Sequence, residues 1–307
     1  MTDNQKITTG NVMVLFISVI LWGWAFPLVK ISLDYVPPLV IGYFRYFFAS
    51  LPFVGYLLVK NGYRNTKEQL RISWPILVAL GVTVVTLPNI FQNIGLLYTT
   101  SSIAAIITTA APVFTVIIAL TLLNESKNIL KIVGLMVAII ASITLVVHTG
   151  LELSETTLYG NILIFFASIS YGISGIVGKL ALKNNSAIHV TGFSMLFGAV
   201  ILMPISILFR EPIDWAINLP FKAWWYLLLL TLFSCMLATY LWYVVLKGHE
   251  ISRQILFTYM IPFFAAVFAY FMLGETLTLF TILLAGLILI GITLAEIDTK
   301  KSDSKVT

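Results

Sequence analysis

Apolar residues fill this chain in blocks of about twenty, joined by short polar stretches. A helix that crosses a bilayer needs roughly 20 consecutive apolar residues. By that measure the pattern predicts ten spans, at 11–31, 37–59, 73–97, 100–123, 129–148, 158–182, 188–209, 223–246, 251–273 and 277–296. The longest polar joins are 60–72, 149–157 and 210–222, and none of them resembles a soluble domain. The predicted architecture is an all-α integral membrane protein.

The chain also repeats itself. A shift of 150 sets Ser102 on Ser252, Thr108 on Thr258, Pro112 on Pro262, Phe114 on Phe264, Leu123 on Leu273 and Glu125 on Glu275. An apolar alphabet makes single matches cheap. A proline followed thirteen positions later by a glutamate, both in register, points to duplication of a whole half-protein. A shift of 149 extends the match backwards, pairing Ile20 with Ile169, Trp22 with Tyr171, Gly23 with Gly172 and Lys30 with Lys179. The unit is thus five helices, residues 1–148 and then 149–307. Five is odd, so the second copy enters the membrane upside down. Inverted repeats place a substrate site near the midplane between the halves, with alternating access as the natural mechanism.

Composition agrees: 59% of residues are hydrophobic, 10% are charged, and the mean hydropathy is +0.99. Soluble domains carry about 25% charged residues. The single cysteine, Cys235, excludes an internal disulfide framework. A net charge of +5 is here a statement about topology, not about nucleic acid. With the N-terminus in the cytoplasm, 14 of the 18 basic residues fall on the cytoplasmic side, leaving Lys30, Arg45, Arg210 and Lys222 opposite. That asymmetry puts both termini in the cytoplasm of a plasma-membrane protein. No small-residue cleavage site follows the first apolar run, so no removable signal peptide is expected.

The stretch LWGWAFPLVKISLDYVPPLVIGYFRYFFASLP resembles the opening of an EamA-type member of the drug/metabolite transporter superfamily. The proline-then-glutamate runs APVFTVIIALTLLNES and IPFFAAVFAYFMLGET resemble the ends of the two EamA repeats. The resemblance covers nearly the whole chain. It implies ten helices, both termini inside, and small organic solutes as cargo, often exported. Arg45 departs from the symmetry, since Ser194 stands at its mate position.

No acidic residue falls at mid-depth in any span, which argues against a buried proton-binding carboxylate as the coupling device. Glu125 and Glu275 read as anchors of helix ends. In TLPNIFQNIGLLY, Asn89, Gln92 and Asn93 recur at i, i+3 and i+4, which predicts three amides on one inward face of the third span. Their mates in the eighth span are Thr239, Trp242 and Tyr243. Two symmetry-related polar or aromatic faces suit a cavity; the plainer alternative is interhelical hydrogen bonding. Trp22 and Tyr171 form a second mated pair, with Ser174 close by. Trp22 lies about 12 Å from Lys30 along the helix, deep for an interfacial belt. Gln254, Thr258 and Tyr259 of the ninth span complete the candidate cargo site. Lys30 and Lys179 would stand one at each mouth as gates, snorkelling being the plainer role for both. Arg45, about 12 Å into its span, is a third gating candidate, expected to pair with a helix-end carbonyl or a loop acid such as Asp34.

An amide- and aromatic-lined cavity without fixed negative charge suits neutral, zwitterionic or amphipathic solutes. The leading reading is a secondary transporter of small organic metabolites, with amino-acid export as its representative form. Cofactors, metals and nucleic acid have no place in it; the bilayer and the solute are the partners, and the working unit is a monomer or homodimer. A non-transporting subunit or passive channel remains open. An intramembrane enzyme lacks support, since HExxH and GxSxG are absent and all three histidines sit near span ends. No GxxxxGK[ST] run appears, so coupling to ATP would need another chain.

Overall fold

The computed structural model describes residues 9–122 and 155–290, apart from 210, 212–213, 217–218, 250, 281 and 288–289, together with isolated positions between 133 and 144. Every regular element among the described residues is helical. Three are simple rods: α1 (Thr9–Ser32), α5 (Glu155–Leu182) and α6 (Ala187–Leu208). Two longer runs are distorted, α2 (Pro38–Tyr98) and α7 (Phe221–Gly248). The short helices α3 (Ser101–Thr108) and α4 (Ala111–Leu122) make one broken rod. Its repeat mate is built from α8 (Ile251–Gln254), a 3-10 stretch (Ile255–Met260) and α9 (Ile261–Leu273).

Among the described residues five helices are long and apolar enough to cross a membrane: α1, α2, α5, α6 and α7. Ser101–Thr115 and Phe257–Leu273 are shorter apolar helices. The fifth predicted span, 129–148, lies almost wholly outside the described residues, as does Glu125. The tenth, 277–296, is helical at the positions described from 279 to 290.

Local chemistry explains where the rods begin and bend. α2 starts on Pro38, where a missing N–H costs nothing, and Glu211 accepts from the next free amides, those of Leu39 and Val40, at 2.9 Å each. Burial lifts the Glu211 carboxyl above its usual range, while those two amide bonds pull it back down. Gly62 sits at φ +76°, in the left-handed region only glycine enters freely, and divides α2 into arms 38–61 and 63–98. Beyond that break the predicted polar join is itself helical. Residues 63–72 lack proline and include Arg, Lys, Glu, Gln and Leu, all strong helix formers. Arg64 pairs with Glu68 there one turn on, at 3.2 Å.

The duplication is visible in distortions as well as residues. Val82–Thr86 in α2 takes the wide turns of a π-helix, and so does Leu230–Ala238 in α7. A shift of 150 drops the first stretch inside the second. Both broken rods change direction just ahead of the paired prolines, Pro112 and Pro262.

Hydrogen bonds at the two ends of the bundle establish the inversion. At the C-terminal end of α1, Lys30 Nζ donates to the carbonyls of Leu96 and Thr99. Thr99 Oγ1 in turn donates to Asn161 Oδ1, near the start of α5, at 2.6 Å. At the other end of α1, Asn11 lies 3.4 Å from the His249 ring, whose backbone carbonyl accepts from Lys179 Nζ, near the end of α5, at 2.5 Å. α1 and α5 therefore run antiparallel.

The halves are interleaved. A Cβ on Gly23 of α1 would stand 2.6 Å from Phe264 Cβ in α9, and one on Gly172 of α5 would stand 2.6 Å from Phe114 Cβ in α4. Gly23 and Gly172 are mates, as are Phe264 and Phe114, so each first helix of a repeat is pressed against the broken rod of the other.

Glu275 occupies the helix-end role read from the sequence. Its two oxygens accept from the backbone N–H and the hydroxyl of both Ser101 and Ser102, at 2.7–2.9 Å. Four donors converge on one carboxylate at the start of α3, where negative charge is favoured. Gly274 ends α9 at φ +67°, turning the chain so that Glu275 can reach. Glu275→Gln keeps the size but loses one acceptor oxygen. It is expected to lower stability by about 1–3 kcal/mol and to leave ligand affinity unchanged, as read by thermal unfolding beside a binding titration.

Candidate substrate cavity

α1, both arms of α2, α5, α7 and the two broken rods line a cavity of about 170 Å³. The wall takes Thr108, Thr109, Ala111 and Pro112 from one break and Ile255, Thr258 and Ile261 from the other. Discontinuous helices of this kind bring backbone polar groups to membrane depth only where they line a cavity.

Of the residues singled out for cargo, Trp22, Gln92, Tyr171, Ser174, Thr239, Trp242, Tyr243 and Thr258 line this space. Trp22 and Trp242, one from each repeat, lie side by side with ring centroids 5.1 Å apart and planes tilted by 53°. That places Trp22 inside the protein and not in an interfacial belt. Tyr171 Oη donates to Gln92 Oε1 at 3.1 Å, tying the mated faces together across the space. With its oxygen so engaged, the Gln92 amide has its Nε2 N–H groups as the donors left for a ligand. Ser174 and Thr258 spend their hydroxyl protons on the carbonyls of Tyr171 and Ile255, and Thr108 does the same with Ala104.

The remaining four stand behind the wall. Asn89 is 1% exposed and Asn93 is fully buried. Asn89 Nδ2 donates to the Val85 carbonyl at 2.6 Å, and Asn93 Nδ2 to the Pro38 carbonyl and Asn89 Oδ1 at 2.8 and 3.1 Å. Gln254 donates to the Trp242 carbonyl at 2.8 Å, bracing the tryptophan from outside the cavity. Tyr259 packs into the apolar cluster that holds Ala25, Phe26 and Ala265. The expected single face of three amides is split because Asn89–Asn93 is itself a π-helical turn. Its wider winding keeps i and i+4 together and swings i+3 away.

The three candidate gates divide differently. Lys179 Nζ donates to the carbonyls of Leu246 and His249, positions that are the 150-shift mates of the Leu96 and Thr99 carbonyls held by Lys30. Each lysine thus sits on the negative end of a neighbouring rod; neither reaches outward as a snorkelling side chain would. Arg45 does not pair with Asp34. It is 3% exposed, lines the cavity, and gives one guanidinium N–H to Asn89 Oδ1 at 2.9 Å, with its face 5.0 Å from the Tyr46 ring. The sequence missed Arg45 and Tyr46 as cavity residues, because their placement depends on where the first arm of α2 crosses the second. The paired prolines were the available signal for the breaks.

An aromatic-lined cavity between two repeats of apolar helices is an arrangement suited to a membrane transporter. The EamA-like transporter family model matches residues 9–147 and again 158–296, and the chain belongs to that family. An uncharacterized transporter of Archaeoglobus fulgidus is 28% identical over 91% of this chain and 96% of its own. The uncharacterized transporter YoaV of Bacillus subtilis is 26% identical over 92% and 95%. The "Probable terminal-alkyne amino-acid exporter" of Streptantibioticus cattleyicolor is 24% identical over 63% of each chain. One solved crystal structure superposes with a TM-score of 0.69 at 17% identity, covering 95% of this chain and 98% of that one, which is a likeness of fold.

Proposed function

We propose that this transporter exports a small amphipathic metabolite, an amino acid or a close relative, by alternating access. It does so through a plasma membrane crossed ten times with both termini in the cytoplasm, as a monomer or homodimer. The observation that carries this reading is the cavity at the two helix breaks, walled by matched residues of both repeats. A site on the symmetry element of an inverted pair can be opened to one side and then the other by exchanging the conformations of the two halves. The printed name of the Streptantibioticus relative supports the cargo class and direction. A ligand-stabilisation screen of purified protein against amino acids, nucleosides, sugars and quaternary amines tests the class. A ligand that binds only the folded state adds about 2.7 kcal/mol at a hundred times its dissociation constant. Stabilisation by sugars alone would contradict the proposal.

The ten-span topology makes its own prediction. Single cysteines at Asn65, Asn128 and Asn184 should be reached by impermeant reagent from the cytoplasmic side, and those at Glu152 and Asp214 from the outside. Labelling of positions 65 and 152 from one side would break the assignment.

A further inference from the structure

Arg45 is a buried cation with no counter-ion among the described residues. A guanidinium keeps its charge under all ordinary conditions, and an ionised group taken from water is stable only when paired. Yet the sole ion pair among the described residues is Arg64–Glu68, on an exposed helical turn. Around Arg45 the groups that feel its charge are Cys235, Tyr46 and Tyr171, none of them a carboxylate. Its one hydrogen-bond acceptor is the neutral amide of Asn89, and its Nε–H is buried without a partner.

The surroundings are built to hold it so. Asn89 Oδ1 is fixed by a second donor, Asn93 Nδ2, and Asn89 Nδ2 is tied to the Val85 carbonyl. Asn89 is therefore a positioning residue for the guanidinium, and its mate on α7 is Thr239, whose hydroxyl donates to the Ser234 carbonyl. The cation itself is unmatched across the two-fold, since the mate of Arg45 is Ser194, whose hydroxyl turns back to the Thr191 carbonyl. Among the described residues that line the cavity, Arg45 is thus the one charged side chain. Gln92 lines the same space with its amide N–H groups, close to Tyr171. No acidic side chain lines the cavity among the described residues.

Resting on the transporter reading above, we infer that the missing counter-ion arrives with the cargo: Arg45 receives an organic carboxylate, and Trp22 and Trp242 enclose the apolar body of the same molecule. The substrate class is a small carboxylate with an aromatic or aliphatic body, and the α-amino group of an amino acid is an accessory, not the anchor. Arginine suits that role because its planar fork matches a carboxylate with two parallel hydrogen bonds, which a lysine cannot reproduce. An inorganic anion would satisfy the charge but leave the two tryptophans unused.

The test is a binding titration on purified full-length protein, followed by quenching of tryptophan fluorescence, with three probes: phenylalanine, 3-phenylpropionate and phenylalaninamide. The two carboxylates should bind at least ten-fold tighter than the amide. Arg45→Gln should erase that preference by weakening the carboxylates, and Arg45→Lys should retain part of it. Trp242→Ala should weaken all three probes together and leave their ratio unchanged. Equal binding of phenylalanine and phenylalaninamide to the unaltered protein overturns the inference without recourse to any variant, as does the absence of carboxylate binding. A preference for carboxylates that survives in Arg45→Gln overturns the assignment to Arg45. Loss of all binding in Trp242→Ala beside an unchanged Arg45→Gln would leave the cavity as the cargo site and remove only its anionic end. Competition by chloride or sulfate at the same concentrations as the carboxylates would assign the guanidinium to an inorganic ion and likewise overturn it.

Discussion

Gly172→Leu is expected to yield no folded, monodisperse protein, and Gly172→Ala to lower the unfolding temperature. The sign for alanine is the informative part. Alanine in a helix interior is favoured over glycine by about 1 kcal/mol from propensity alone. At Gly172, however, the new Cβ would stand 2.6 Å from both the Ala111 carbonyl oxygen and Phe114 Cβ, against backbone that cannot withdraw cheaply. Overpacking of this kind costs about 1–3 kcal/mol for a few atoms, so it outweighs the propensity gain. Gly23→Ala should behave alike, because its Cβ would meet Phe264 Cβ at 2.6 Å and the Ala265 backbone N at 3.0 Å. Gly55 is the control: nothing lies within 4 Å of a Cβ there, so Gly55→Ala should be neutral or stabilising. Thermal unfolding of the three alanine variants in detergent checks the set. Stabilisation by Gly172→Ala would mean that α5 and α4 do not approach as described.

The second large effect is on binding. Trp242→Ala and Gln92→Ala should each weaken cargo binding five-fold or more. Trp242 supplies one of two adjacent rings 5.1 Å apart, and aromatic contacts of this kind contribute about 0.5–1.5 kcal/mol beyond the area they bury. Gln92 presents amide donors to the cavity, and stripping a buried partner of its hydrogen bond costs about 1–3 kcal/mol. At 1.4 kcal/mol per factor of ten, both ranges reach the stated loss. Asn89→Ala and Asn93→Ala should act differently, lowering stability first, because their hydrogen bonds run to backbone and to Arg45. Val244, 43% exposed on the same helix as Trp242, gives the control, and Val244→Ala should bind like the parent.

What the sequence disclosed follows from the duplication. The amide spacing brought Gln92 forward and the duplication added its mate Trp242, as it matched Trp22 with Tyr171; in the fold the contacts run between the pairs, Trp22 to Trp242 and Tyr171 to Gln92. Glu275 was likewise readable as a helix anchor, since it stands at the end of an apolar run in register with Glu125. Features that depend on winding or crossing were hidden. The i, i+3, i+4 rule assumes an α-helix, so it bound Gln92 to Asn89 and Asn93, which the π turn separates. Lys30 and Lys179 hold carbonyls that lie 66 to 70 residues away and belong to other rods. Arg45 was hardest. Symmetry marked it as an exception, and only the crossing of the two α2 arms turns that exception into the one charged wall of the cavity.

If this cavity carries cargo by alternating access, the protein should support counterflow. Protein reconstituted in vesicles is loaded with excess unlabelled phenylalanine and diluted into trace labelled phenylalanine. The account predicts transient accumulation of label above its outside concentration, reduced five-fold or more in Trp242→Ala and Gln92→Ala and retained in Val244→Ala. Label that only equilibrates, at the same rate in all four proteins, would contradict it.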